Sequence, residues 1–244
     1  MSWQFTYDGL RKYFAFLGEQ GTVTSFENMD KVDNPIVLRH DVDLDPTAAF
    51  YLAGVESKFS IKSTFFFRVA SPTYNIFALK FLLHWFCEKG FEIGLHFDPA
   101  IYSSEIQHMC ELEIKILESM LPKKNCVKSI SLHNPSIYKN KFSVEGFIDA
   151  YDKKVWGDSN YISDSCKNFR AKEPYEFVRA AKKPMQILLH PLYYAETDSP
   201  YSEIIKRYIS NQIRIIHRDY GDNPAYVKDM KGKKLEICCN EKEK

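Results

Sequence analysis

The stretch Pro35-Ile-Val-Leu-Arg-His-Asp-Val-Asp43 is an apolar run with a charged end, and Asp45 and Pro46 follow it directly. The run reads as a buried strand. Asp45 stands where a helix N-cap belongs and Pro46 where the first helical residue belongs, and Ala49, Leu52 and Ala53 begin an apolar stripe. A strand running straight into a helix is half of a β-α-β repeat, and the same pattern returns along the chain. Ser63–Val69 reads as a strand, followed by a helix with Ala78, Phe81, Leu82, Trp85 and Phe86 at helical spacing and a stop at Gly90. Phe91–Asp98 is a third strand. The next helix carries Ile106, Met109, Cys110, Ile114, Leu117 and Leu121 on one side and ends at Pro122, after which Val127–His133 returns to strand pattern.

Farther on come an aromatic, Ser/Asp-rich stretch (Trp156–Phe169), a short helix (Tyr175–Ala181), a strand (Met185–His190) and a helix from Ser202 through Tyr208 or beyond. Strands alternating with helices at this spacing predict an α/β fold with a parallel sheet, rolled into a barrel or open. An N-terminal helical extension (1–34, with a helix over Tyr7–Leu17) precedes the barrel (35–227), and a charge-dense tail (228–244) follows, in which Leu235–Cys239 is a candidate short strand. No internal repeat or linker divides the chain. A length of 244 residues with 45% hydrophobic side chains suits a single domain, since a closed α/β barrel takes ~250.

Lys and Arg number 33 against 32 Asp and Glu and are scattered, which argues against a nucleic-acid partner. The six Cys form no C-x-x-C pair and read as reduced thiols. The start lacks a basic region followed by an uninterrupted apolar stretch, and no apolar run nears the ~20 residues of a transmembrane helix, so a cytoplasmic location is expected. Oligomeric state has no signature.

Side chains alternate along a strand, so Arg39, Asp41 and Asp43 share one face while Ile36, Leu38, His40 and Val42 meet the helices. By the same parity Glu92, Gly94, His96 and Asp98 share a face, as do Ser129, Ser131 and His133, and as do Leu188 and His190. A titratable side chain therefore ends each of four strands, where barrel active sites are assembled. Two carboxylates at i, i+2 with imidazoles from neighbouring strands form a donor set for Zn2+ or a similar divalent ion, with a carboxylate left to take a proton from water. Metal-assisted hydrolysis is the chemistry this favours. Tyr193 and Tyr194 are core aromatics or, beside a polar site, a sugar-stacking wall.

The motifs Leu38-Arg-His-Asp-Val-Asp43, Glu92-Ile-Gly-Leu-His96, Ser131-Leu-His-Asn-Pro135, Tyr161-Ile-Ser-Asp-Ser165 and Leu188-Leu-His-Pro191 stand in an order that resembles polysaccharide deacetylases, the NodB-homology group of carbohydrate esterase family 4. The resemblance runs from about residue 35 to 195. It implies a distorted (β/α)7 barrel that uses one divalent metal, zinc first, to remove an acyl group, usually acetyl, from an N-acetylated sugar. Asp41 resembles the catalytic base, Asp43 the metal-binding Asp, His96 the first metal His, and His190 the His that protonates the departing amine.

Two departures stand out. Val42 separates aspartates that are adjacent in the family, so Asp41 and Asp43 could exchange roles, and Ala100 occupies the place of a second metal His. His133 is the candidate replacement, with Asp98 and then Asp164 behind it; His133 also stands where the family often has an Arg that holds the base. Asn134, Asp164, Ser165, Tyr193 and Tyr194 are the expected substrate-binding residues. The expectation is a deacylase of an acylated sugar or sugar conjugate, in surface-glycan synthesis. The alternative is an inactive barrel that binds a sugar or a partner protein, for which Ala100 argues. A phosphatase or sugar-transfer reading of Asp41-x-Asp43 lacks a Gly-rich phosphate loop.

Overall fold

The computed structural model describes residues 3–135, 144–221 and 223–230. One compact unit runs to Ser199 and a second begins at Pro200, inside the stretch 35–227 read as the barrel. The first holds α1 (Tyr7–Gln20), β1 (Thr22–Thr24), β2 (Pro35–Val42), α2 (Pro46–Ser57), β3 (Thr64–Phe67), α3 (Lys80–Glu88), β4 (Glu92–Phe97) and α4 (Ile106–Ser119). β5 (Ser129–Leu132), β6 (Ile148–Asp149), β7 (Tyr161–Ser163), α5 (Pro174–Ala180) and β8 (Met185–Leu188) complete it.

Every strand pair is parallel, and the sheet runs β6-β5-β4-β3-β2-β8-β7, curled into a half-barrel with β6 and β7 at its two ends. The α/β class and the parallel, distorted barrel expected from the sequence are what the chain forms. β2 is the central strand. One of its edges is taken by β8 at Ile36–Arg39, and the other is shared end to end by β1 (at Pro35–Val37) and β3 (at Arg39–Val42). The strand–helix punctuation works locally as read: the Asp45 carboxylate accepts from the N–H groups of Thr47 (2.8 Å) and Ala48 (3.3 Å), capping α2.

Alternation sorts the side chains of β2 into two layers. Ile36, Leu38 and Val42 are buried core residues, and His40 on the same face meets Glu56 of α2 (2.6 Å) and the Leu189 carbonyl (3.0 Å). The other face fills the concave interior. At its base the buried Glu92 carboxylate accepts from Ser129 Oγ (2.6 Å), Thr64 Oγ1 (2.8 Å) and Glu27 N–H (2.9 Å). Above it the Phe66 ring crosses the interior over Gly94, where a Cβ would stand 2.4 Å from a ring carbon. Only a glycine on β4 leaves room for that ring.

The second unit contains α6 (Tyr201–Tyr220) and α7 (Pro224–Met230), with the Asn223 side chain accepting from Ala225 N (3.0 Å) and Tyr226 N (3.2 Å). The sequence reading gave no helix at α7. Among the described residues, no helix is long and apolar enough to cross a membrane. The candidate strand Leu235–Cys239 lies outside the described residues.

Candidate functional site

The C-terminal ends of β2, β4, β5 and β8 bring five of the sequence-predicted side chains to one point. Asp43 Oδ1 is 2.9 Å from His96 Nε2 and 3.3 Å from His133 Nδ1, and Asp43 Oδ2 is 3.7 Å from His190 Nε2. Asp41 Oδ2 is 3.8 Å from His96 Nε2. One ligand atom each from Asp43, His96 and His133 falls within 4.8 Å of the others, the one such group among the described residues. The side chains of Asp43 and His133 are 26% and 27% exposed, so the cluster opens to solvent, while Asp41 and His96 are buried beneath it.

A single guanidinium underlies the site. Arg39, fully buried and two residues before Asp41 on the same strand face, donates Nε–H to Asp41 Oδ1 (2.8 Å) and Nη2–H to Oδ2 (2.7 Å). It also donates to Gln186 Oε1 (3.1 Å), Tyr151 Oη (2.8 Å) and Ser131 Oγ, and lies between the Phe66 and Tyr151 rings. Burial alone would raise the Asp41 carboxyl; the Arg39 charge and then His96 outweigh it and hold the carboxyl below its usual range. The same residue steadies His96, because Ser131 Oγ, in contact with Arg39, stands 3.1 Å from His96 Nδ1. A proton on Nδ1 facing Ser131 would leave Nε2 free to hold an ion; without one, Nε2–H faces Asp43 Oδ1 (2.9 Å). Asp43 is likewise pushed up by burial and carried well below its usual value by hydrogen bonds to His133 and His96.

On the far side Asp164, fully buried after β7, holds His190. Its Oδ1 is 2.6 Å from His190 Nδ1, it accepts the His190 backbone N–H (3.0 and 3.1 Å), and its Oδ2 accepts from Tyr194 Oη (2.9 Å). Burial pulls the His190 imidazolium down, but Asp164, by charge and hydrogen bond, and then Asp43 and Asp41 raise it to about 9.

The remaining expected site residues sort by position. Asp98, the second candidate ligand, pairs with Arg68 Nη2 (2.7 Å) and accepts from Ala100 N (3.1 Å), away from the three-residue group. Asp164, expected at the substrate or in reserve as a ligand, is the anchor of His190. Tyr194 is buried with its hydroxyl on Asp164, so its ring offers no open wall, and Tyr193 is buried with its ring centroid 5.4 Å from that of His190. Ser165 meets the Ser163 hydroxyl (2.7 Å), and Asn134 is an exposed residue at φ 52° just past His133. Arg39, Ser131 and Tyr151 were not among the expected site residues. Strand parity signals the first two, which lie on the inward face beside Asp41 and His133; nothing in the sequence signals Tyr151, which follows a strand of two residues.

No protein-family model matches the chain. No curated protein matches it either. Among solved structures it is similar to the Xyl-CE4 domain of a multidomain xylanase from the hindgut metagenome of Trinervitermes trinervoides, with 18% identity over 78% of this chain and 92% of that one and a TM-score of 0.40.

Proposed function

We propose that the chain is a metal-dependent hydrolase that removes an acyl group, N-acetyl first, from an amino sugar or sugar conjugate, in surface-glycan synthesis. The carrying observation is the grouping of Asp43, His96 and His133 within 4.8 Å, flanked by a carboxylate on Arg39 and an imidazole on Asp164. Two imidazoles and a carboxylate fit Zn2+ and leave a position open, and Ser131 beside His96 Nδ1 supplies the outer contact that a metal-binding His needs. His133 answers for the His absent at Ala100.

A divalent ion bound there supplies Lewis acidity toward a carbonyl oxygen and toward water. The rest is work for the chain. Asp41, kept ionised by Arg39, accepts the proton of the attacking water. His190, protonated up to about pH 9 and oriented through Nδ1 by Asp164, delivers a proton from Nε2 to the departing nitrogen, which would otherwise leave as an unstable amide anion. Tyr194 Oη and the His190 backbone N–H also donate to the Asp164 carboxylate and hold it in place. The sugar follows from the resemblance in motif order.

Metal analysis of the purified protein tests this, joined to a screen of N-acetylated nucleotide sugars. About one ion per chain is expected, retained in Asp98→Asn and lost in His133→Ala, with amine release that stops on exhaustive metal removal. Full activity without metal, or metal retained in His133→Ala, overturns the reading.

A further inference from the structure

The second unit carries a surface that the hydrolase reading leaves unused. Along α6, at 100° per residue, Ile204, Ile205, Tyr208, Ile209, Ile213 and Ile216 fall on roughly half of the helix circumference. The opposite arc carries Lys206, Arg207, Arg214 and Arg218 together with Glu203, and Asp219 is the one charged residue within the apolar half. A surface helix ordinarily hides its apolar arc. Ile204 is buried and Ile205, Tyr208 and Ile213 are half-buried, whereas Ile209, Ile215, Ile216 and Tyr220 are exposed, Ile216 at 57%; α7 lays Tyr226 against His217 and Tyr220 and leaves Val227 half exposed. An exposed apolar stripe, Ile209, Ile216 and Tyr220, opposite a cationic arc is the pattern of a helix lying in a bilayer interface: the apolar side chains enter the acyl boundary while Lys and Arg reach anionic headgroups.

The body unit shows a separate exposed aromatic surface. Phe77 is 61% and Phe81 88% exposed, and Phe50 of α2 packs on Trp85 of α3 with ring centroids 4.6 Å apart. Single exposed apolar residues are ordinary, whereas a contiguous patch marks a contact surface. The segment leading to Phe77 is fastened to the site end of β2: Tyr74 Oη donates to the Val42 carbonyl (2.8 Å), and Thr73 Oγ1 donates to that of Leu44 (3.2 Å). The patch therefore lies at the end of the sheet where the metal cluster opens.

We infer that the protein docks on an anionic bilayer surface through α6. This stands apart from the hydrolase assignment, since it uses no residue of the metal cluster. The test is sedimentation of the full chain, with and without bound metal, against vesicles of phosphatidylcholine alone and of phosphatidylcholine with a minority of phosphatidylglycerol. Binding is expected to the anionic vesicles, equal in metal-free and loaded protein, and weakened as added salt screens the headgroups. Ile209→Ser/Ile216→Ser is expected to weaken it about tenfold or more, and Arg207→Gln/Arg214→Gln to abolish the preference for anionic lipid. Activity on a soluble sugar substrate is unchanged in both variants. The inference falls if anionic vesicles bring down no protein, or bring down wild type and variants alike. It falls equally if light scattering finds a dimer that Ile216→Asp dissociates while vesicle binding is absent, because the face is then an interface between copies.

Discussion

Replacing Arg39 by Met keeps most of the side-chain volume and removes the charge that is bonded twice to Asp41. Both partners are buried, so the carboxylate would be left in the interior without its cation. Breaking a buried ion pair from one side costs about 3–5 kcal/mol, and the loss of the donor to Gln186, Ser131 and Tyr151 favours the upper end. For a unit of about this size, where 1 kcal/mol shifts Tm by about 2–4 °C, the melting temperature should fall by about 6–20 °C. Charge can be separated from packing by the double variant Arg39→Met/Asp41→Asn, in which the stranded carboxylate is gone and about 1–3 kcal/mol should return. The pH dependence gives a further check. In the wild type, Asp41 is held low, so its contribution is present above the unfolded carboxyl value and lost as pH falls through the lower folded one. In Arg39→Met, burial is opposed only by His96 and His190 and the carboxyl moves up, so the destabilisation is largest at neutral pH and shrinks on acidification. Urea unfolding of the wild type, Arg39→Met and the double variant at neutral and mildly acidic pH decides the matter. Arg39→Met within about 1 kcal/mol of wild type, or a double variant no more stable than the single one, refutes the reasoning.

Gly94→Ala should destabilise by about 1–3 kcal/mol, because the new methyl meets the Phe66 ring at 2.4 and 2.5 Å; a denaturant midpoint equal to wild type would mean the ring swings aside freely. His190→Ala should lower kcat by about 10²–10⁴-fold with metal content unchanged; near-normal kcat removes His190 from catalysis, and lost metal makes it a ligand. His190 is raised above its unfolded value, so in the metal-free protein its contribution is full below pH 6.5 and lost as pH rises through about 9. Asp164→Asn should bring the His190 titration down and shrink that loss, as read by NMR titration and by urea midpoints at the two pH values.

Parity along β2, β4, β5 and β8 was enough to gather Asp41, Asp43, His96, His133 and His190 on the inner face of one sheet end, since a period of two leaves no freedom once the apolar face is fixed. The supporting residues were harder to read for different reasons. Arg39 shares the Asp41 face, yet an interior arginine contradicts the usual exposure of that side chain, and only Asp41 together with Ser131, Tyr151 and Gln186 from other segments makes it tolerable. Asp164 leaves β7 at a loop of irregular backbone, where neighbouring Cys166 has φ 57°, so no periodicity fixes its direction. β1, β6 and β7 have two or three residues each, too short for an alternation to register, and they exist because longer strands offer them an edge.

The partners of Arg39 arrive from very different distances along the chain. Asp41 is two residues away, whereas Ser131, Tyr151 and Gln186 are 92, 112 and 147 residues away. The ion pair can therefore form within a single nascent strand, while the remaining donors find acceptors only when β5, the turn after β6 and β8 have closed around it. Loop closure over such spans is slow relative to local contacts, which makes Arg39 a reporter of assembly order: its neighbours Tyr151 and Gln186 should contribute little to the folding transition state and much to the barrier against unfolding. The carboxylate of the candidate site and the closure of β5, β6 and β8 around it then depend on the same guanidinium, and a chain released before its β8 is made would lack the Gln186 acceptor.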